Sequence, residues 1–195
     1  MKTLLIGAVA LASLFSASAA SAQTAGPANP GPVIPGVCVF FNQQMLATST
    51  AGQSVQTRMG QLATEVQGEL TPYATAIQTE ATALQQGAAT IPADQMNQRR
   101  QALQQRAQEA QQLQQTREEE LRYTLQEQRR LISVAVEPLL VAIYQEKGCG
   151  IMFDRESVFI MNPAMDVTSE VITRLNAQLP ALTFNRLPVP VQQGQ

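Results

Sequence analysis

The 195-residue chain has no histidine, no tryptophan, two cysteines, and only 14% charged and 5% aromatic residues. Without histidine, the commonest general base near neutral pH and the commonest metal ligand are both missing. Acid–base work would fall to carboxylates, and the nearest cluster, Asp154, Glu156 and Asp166, lies in a turn and a helix cap that account for it structurally. Neither cysteine has an activating partner, and no spacing of Cys, Asp and Glu resembles a ligand set. The residues therefore argue against an enzyme, a metal site and a cofactor. Lysine is nearly absent too, with Lys2 and Lys147 alone. A formal net charge of −2, with no clustered basic face, excludes nucleic acid as a partner. Long apolar runs are lacking as well: the run from Leu4 to Phe15 falls short of the roughly 20 residues that span a bilayer.

What stands at the start of the chain is an export signal. Met1 and Lys2 give a positive start, the run from Leu4 to Phe15 follows, and Ala20-Ser21-Ala22 fits the small-x-small cleavage rule, so residues 1–22 are expected to be removed. Residues 23–36 read as a linker, where Pro27, Pro30, Pro32 and Pro35 alternate with Gly26, Gly31 and Gly36. Export opens two readings of Cys38 and Cys149, a disulfide or two buried thiols. A bridge would close a loop worth up to about 4–5 kcal/mol in the chain-entropy model.

The remaining organisation is a bracket. Val37 to Asn42 is a short buried strand, and Ile151-Met152-Phe153 with Val158 to Met161 is a strand pair joined by a hairpin-length turn, Asp154 to Ser157. Between them lie about 100 residues rich in Gln, Ala and charge. From Ala51 to about Gln86, Val55, Met59, Leu62, Val66, Leu70, Tyr73, Ile77, Ala81 and Leu84 recur in steps of three and four, a narrow helical seam. Ser49 or Thr50 caps this helix, and Pro72 should kink it. Gly87 to Pro92 breaks the chain and Asp94 offers the next N-cap. A second helix runs to about Tyr144, with Met96, Leu103, Ala110, Leu113, Leu121, Leu125, Ile132 and Ala135 on one side and Pro138 bending its end. The two fold back as an antiparallel hairpin. Asp166 or Thr168 caps a short helix over about 167–178, which Pro180 stops.

The fold class is thus α+β: a small body (37–50 and 148–179) carrying a long helical arm (51–147), with a disordered tail over 180–195. Three short strands cannot sustain an isolated sheet. Several copies closing a joint sheet or barrel would remedy this, with Val37, Val39, Phe41, Ile151, Phe153, Val158 and Ile160 as the contact set. Near the arm tip, Arg99, Arg100 and Arg106 read either as a solvated helix face or as a contact for an acidic membrane surface or a bound protein. Met45, Met59, Met96, Met152, Met161 and Met165 read as packing residues or as an adaptable binding surface.

Over about 37–179 the chain resembles the periplasmic chaperones of the Skp (OmpH) family. Three stretches carry the likeness: Val37-Cys38-Val39-Phe40-Phe41-Asn42-Gln43-Gln44-Met45-Leu46 with Gly52; Gln126-Glu127-Gln128-Arg129-Arg130; and, most specifically, Gly150-Ile151-Met152-Phe153-Asp154, Val158 and Asp166-Val167-Thr168-Ser169-Glu170-Val171-Ile172-Thr173-Arg174-Leu175-Asn176. The resemblance implies a homotrimer with a central barrel and three arms around a cavity. It implies a periplasmic holdase that keeps unfolded outer membrane proteins from aggregating without ATP. Relatives are often Lys-rich and basic, whereas this chain is mildly acidic. The alternative function is a coiled-coil adaptor or spacer in the cell envelope.

Overall fold

A computed structural model describes residues 31–190. The expected export signal, residues 23–30 of the expected linker and residues 191–195 of the expected tail lie outside the described residues. The elements are β1 (Val37–Phe40), α1 (Asn42–Thr48), α2 (Thr50–Gln86), α3 (Ala93–Glu146), β2 (Ile151–Asp154) and α4 (Thr168–Gln178), with short 3-10 turns at Arg155–Ser157 and Pro163–Met165. The protein is α+β and mostly helical.

β1 and β2 pair in parallel, Val37 opposite Ile151 through Phe40 opposite Asp154. Parallel pairing of strands this far apart in sequence needs a long crossover, and here the helical hairpin is that crossover. Gly36 and Gly148 both take positive φ, 77° and 65°. Gly148 thereby closes α3 with the left-handed residue that a helix terminus favours. Cys38 and Cys149 are joined by a disulfide, with their Cα atoms 5.8 Å apart.

The body packs on one core. Cys38, Phe40, Met45, Ala51, Val55, Ile132, Val136, Ile143, Cys149, Val167, Val171 and Leu175 form it, drawing one face from every helix. α1 turns directly into α2 at Ser49, whose buried hydroxyl accepts from the Gly52 amide at 3.1 Å. The corner is so tight that a Cβ on Gly52 would lie 1.8 Å from the Leu46 carbonyl oxygen. Only glycine fits there.

The arm is a hairpin of 37 and 54 residues, or about 55 and 80 Å at 1.5 Å per residue. Its seam is tight at the base, where Leu62, Val66, Ile132 and Val136 are buried, and again at the tip, where Leu84 and Met96 are buried. Between them, none of 67–83 and none of 97–123 is buried. Leu70, Tyr73 and Ile77 of the expected seam face Ala107 and Ala110 across an open groove, because alanines on α3 are too short to fill the space.

Four expectations are corrected. Val158 to Met161 does not form a third strand: Asp154 accepts from the Glu156 amide and turns the chain into a 3-10 turn, and the segment runs on exposed, with Phe159 95% accessible. The described residues therefore hold a two-stranded sheet, and no barrel is seen in one chain. Asp94 is not an N-cap; α3 begins at Ala93, and Asp94 sits in its first turn, where the helix dipole favours a carboxylate. Val39 is only 1% accessible and lies inside the protomer, bridged to Asp166, so it offers no contact to another chain. Finally, residues 180–190 are not a loose tail: they lie extended against the arm, held by side chains of α2 and α3.

Candidate functional site

Three surfaces could engage a partner, and each is set by a different element. The first is the outer face of β2 and the segment after it. Alternation in a strand sends Ile151 and Phe153 to one face, where both are exposed, and Phe159 and Ile160 extend the apolar surface. Val37, Phe41 and Val158 are half-buried. Leu131, Val134 and Val141 on α3 are exposed as well, at steps of three and seven. Leu140, Val141, Tyr144 and Met152 line a shallow apolar depression where α3 meets β2. A monomer in water gains nothing by exposing apolar side chains of this size in one region, so they mark a candidate interaction surface.

The second surface is the arm. Its flanks carry glutamine, threonine and charge, and the open middle exposes Tyr73 beside the half-buried Leu70 and Ile77. Near the tip, Arg99 does not point outward. Its guanidinium grips Glu80 of α2 in a two-pronged pair at 2.7 and 2.9 Å. That hydrogen bond holds the Glu80 carboxyl below its ordinary value. Arg99 is therefore a cross-hairpin tie, while Arg100 and Arg106 are solvent-exposed.

The third surface was not legible beforehand. A groove crosses the arm base between α2 and α3. Its walls carry Ser54, Arg58 and Glu69 from α2 and Glu120 and Thr124 from α3, and residues 182–187 occupy it. Thr124 is fully buried under that segment. No local pattern marked it, because Thr124 and Gln128 lie off the expected α3 face of Leu121, Leu125 and Ile132. Arg186 pairs with both Glu69 and Glu120 at 2.9 Å, and Arg117 pairs with the same two carboxylates at 2.7 and 3.0 Å. Hydrogen bonds from Arg186 and then from Arg117 hold the Glu69 carboxyl below its ordinary value.

The remaining polar residues keep the body in register. Asp166 accepts from the Thr168 amide at 2.8 Å, and Thr168 accepts from the Phe41 amide at 2.8 Å, tying α4 to the end of β1. Glu170 is held below its ordinary value by Lys147 first and Arg174 second. Arg174 also pairs with Glu146. Asp154, Glu156 and Asp166 are thus spaced by turn and cap geometry. Among the described residues no group of three carboxylate or cysteine side chains could hold a metal ion. Of the methionines, Met45, Met96 and Met165 are buried, and Met59 and Met152 pack on the core.

Comparison with known proteins adds two matches. Residues 36–175 match a family described as outer membrane protein (OmpH-like). A crystal structure from Caulobacter crescentus, named as an OmpH-like outer membrane chaperone, is similar with a TM-score of 0.75 at 34% sequence identity, covering 84% of this chain and 96% of that one. No curated protein matches the chain.

Proposed function

The chain belongs to the OmpH-like outer membrane protein family, and from that premise we propose that it is a periplasmic, ATP-independent holdase for unfolded outer membrane proteins. The observation that carries this reading is the division of the molecule. A small, disulfide-tied body exposes an apolar face, and a long arm packed only at base and tip projects from it. The face at Ile151, Phe153, Phe159 and Ile160 suits self-association, and a homotrimer would place three arms around one space. Each arm offers weak, sequence-tolerant contacts, and several arms on one body raise the effective concentration of those contacts for a single bound chain. The loosely packed middle of the arm lets the enclosed space change width.

An export signal over residues 1–22 is consistent with a periplasmic address, as is a disulfide, which persists in oxidising compartments. Peripheral contact with an acidic membrane through Arg100 and Arg106 fits less well, because the chain carries a net charge of −2 and Arg99 is spent on Glu80.

The test is direct. Purified protein should scatter light as a trimer and should suppress aggregation when a urea-unfolded outer membrane protein is diluted into buffer without nucleotide. A monodisperse monomer without suppression overturns the proposal. Recovery of one folded partner, rather than many unfolded ones, from periplasmic extract would favour an envelope spacer instead.

A further inference from the structure

The segment that lies on the arm base is bound there as a peptide is bound. Residues 182–187 are bracketed by Pro180, Pro188 and Pro190, which keep the chain out of helix. Its side chains alternate: Leu182, Phe184 and Arg186 are turned inward, and Thr183 and Asn185 are exposed. Two residues of extended chain advance about 6.6 Å and four residues of helix about 6 Å, so from Leu182 to Phe184 the segment keeps step with one turn of α2, from Ser54 to Arg58.

Main-chain groups make three of the bonds. The Leu182 amide donates to Ser54 Oγ at 2.9 Å, the Leu187 amide donates to Thr124 Oγ1 at 2.8 Å, and the Phe184 carbonyl accepts from Arg58 Nε at 3.0 Å. Both hydroxyls are set as acceptors in advance. Ser54 spends its proton on the Ala51 carbonyl at 2.7 Å, and Thr124 spends its own on the Glu120 carbonyl at 2.6 Å. Such bonds read backbone and not side chain, so they accept any extended polypeptide except proline at the donating positions. Side-chain selection rests on two apolar sites, where Leu182 and Phe184 meet the core, and one acidic site at Glu69 and Glu120, beside one exposed hydrogen bond from Arg58 to Asn185 Oδ1 at 3.2 Å.

We propose that this groove is a binding site for extended polypeptide of the pattern apolar–x–apolar–x–basic, occupied in the resting chain by its own residues 182–187, which an incoming chain displaces. The proposal rests on the chaperone reading only for the origin of the incoming chain; the groove itself is tested without one.

The probe is a fluorescein-labelled synthetic peptide with the sequence of residues 180–190, titrated into the full chain and followed by anisotropy. In an Arg186→Glu chain the self-segment faces Glu69 and Glu120 with like charge and is expelled. Its occupancy no longer taxes the site, so the peptide should bind that chain at least about tenfold tighter than the wild type. A peptide carrying Glu in place of its arginine should not bind. In the wild type, excess peptide should speed hydrogen exchange at the Leu182 and Leu187 amides; this measurement alone decides if the variant fails to fold. Equal binding to both chains, binding indifferent to the peptide's arginine, or unchanged exchange would each overturn the proposal. Aggregation suppression by the same wild-type sample is read separately, so a dead groove on an active holdase is distinguishable from an inactive protein.

Discussion

The body and the arm of this protein are built to opposite rules. In the body every helix gives a face to one core, a disulfide closes the crossover, and the α1–α2 corner admits no atom beyond glycine. In the arm the two helices bury side chains at the base and tip and none between, where cross-hairpin ion pairs, Arg117 with Glu69 and Arg99 with Glu80, join them. The contrast teaches that the fold concentrates its cohesion in the body and withholds it along the arm. Local stability follows density of buried contact, so the same chain can be rigid at one end and compliant 50 Å away by the arithmetic of helical rise, on the order of 35 residues.

The strongest way to break that contrast is to loosen the body. Reducing the disulfide, or replacing Cys38 and Cys149 by serine, should cost about 4 kcal/mol, since the bonded residues are 111 apart and long loops lose most. Thermal melts with and without reductant would register this as a fall of roughly 10 °C. An unchanged melting temperature would mean that the core alone holds the strands.

Next in size is a pair of identical substitutions with opposite expected signs. Gly52→Ala forces a methyl into the Leu46 carbonyl and should destabilise by about 2–3 kcal/mol. Gly60→Ala, on the open arm with nothing within 4 Å of the added methyl, should stabilise by about 0.5–1 kcal/mol, because alanine propagates helix better than glycine. Urea midpoints moving the same way for both would erase the distinction between the regions.

A third test uses pH at the join between body and arm. Glu69 faces Arg186 from the strap formed by residues 182–187 and Arg117 from α3, with Glu120 sharing both cations. Its carboxyl binds a proton less readily folded than unfolded, so its contribution is complete above the ordinary value of 4.5 and is lost as pH falls below it. Hydrogen exchange at the strap should therefore quicken as pH drops below that value, relative to exchange in the body core. Glu69→Gln should flatten that difference.

The smallest effect is expected at the tip. Arg99→Ala removes the exposed pair with Glu80, and exposed pairs contribute little, so the melting temperature should stay put while exchange over 80–99 quickens.

How much of this was legible in the chain depends on whether the signal was periodic. Val55, Leu62, Val66 and Leu84 were readable because helices repeat every three to four residues, and all four are buried. The cap at Ser49, one of the two candidates, followed from a residue type with a local backbone preference. Val158 to Met161 misled because an apolar run bounded by turn residues looks like a strand whether or not a neighbour exists to pair with it. The strap misled for the converse reason: proline spacing excludes helix, but contact with Ser54, Arg58 and Thr124 lies more than 60 residues away in sequence, beyond any local pattern. Arg99 read as a solvated or binding charge because its tie to Glu80 exists only once the hairpin closes.

By itself, then, the order of residues determined two long amphipathic helices, their breakpoint at Gly87 to Pro92, the short apolar strands that bracket them and the absence of histidine chemistry. All of these are local, written in period, propensity and composition. Only the tertiary structure decided that β1 and β2 run parallel, that Cys38 and Cys149 meet, that Val39 is sealed inside while Phe159 is not, and that the chain's last described residues fill a groove on its own arm. Those are matters of which surfaces come together, and burial and pairing between distant segments are settled by the packing of the whole.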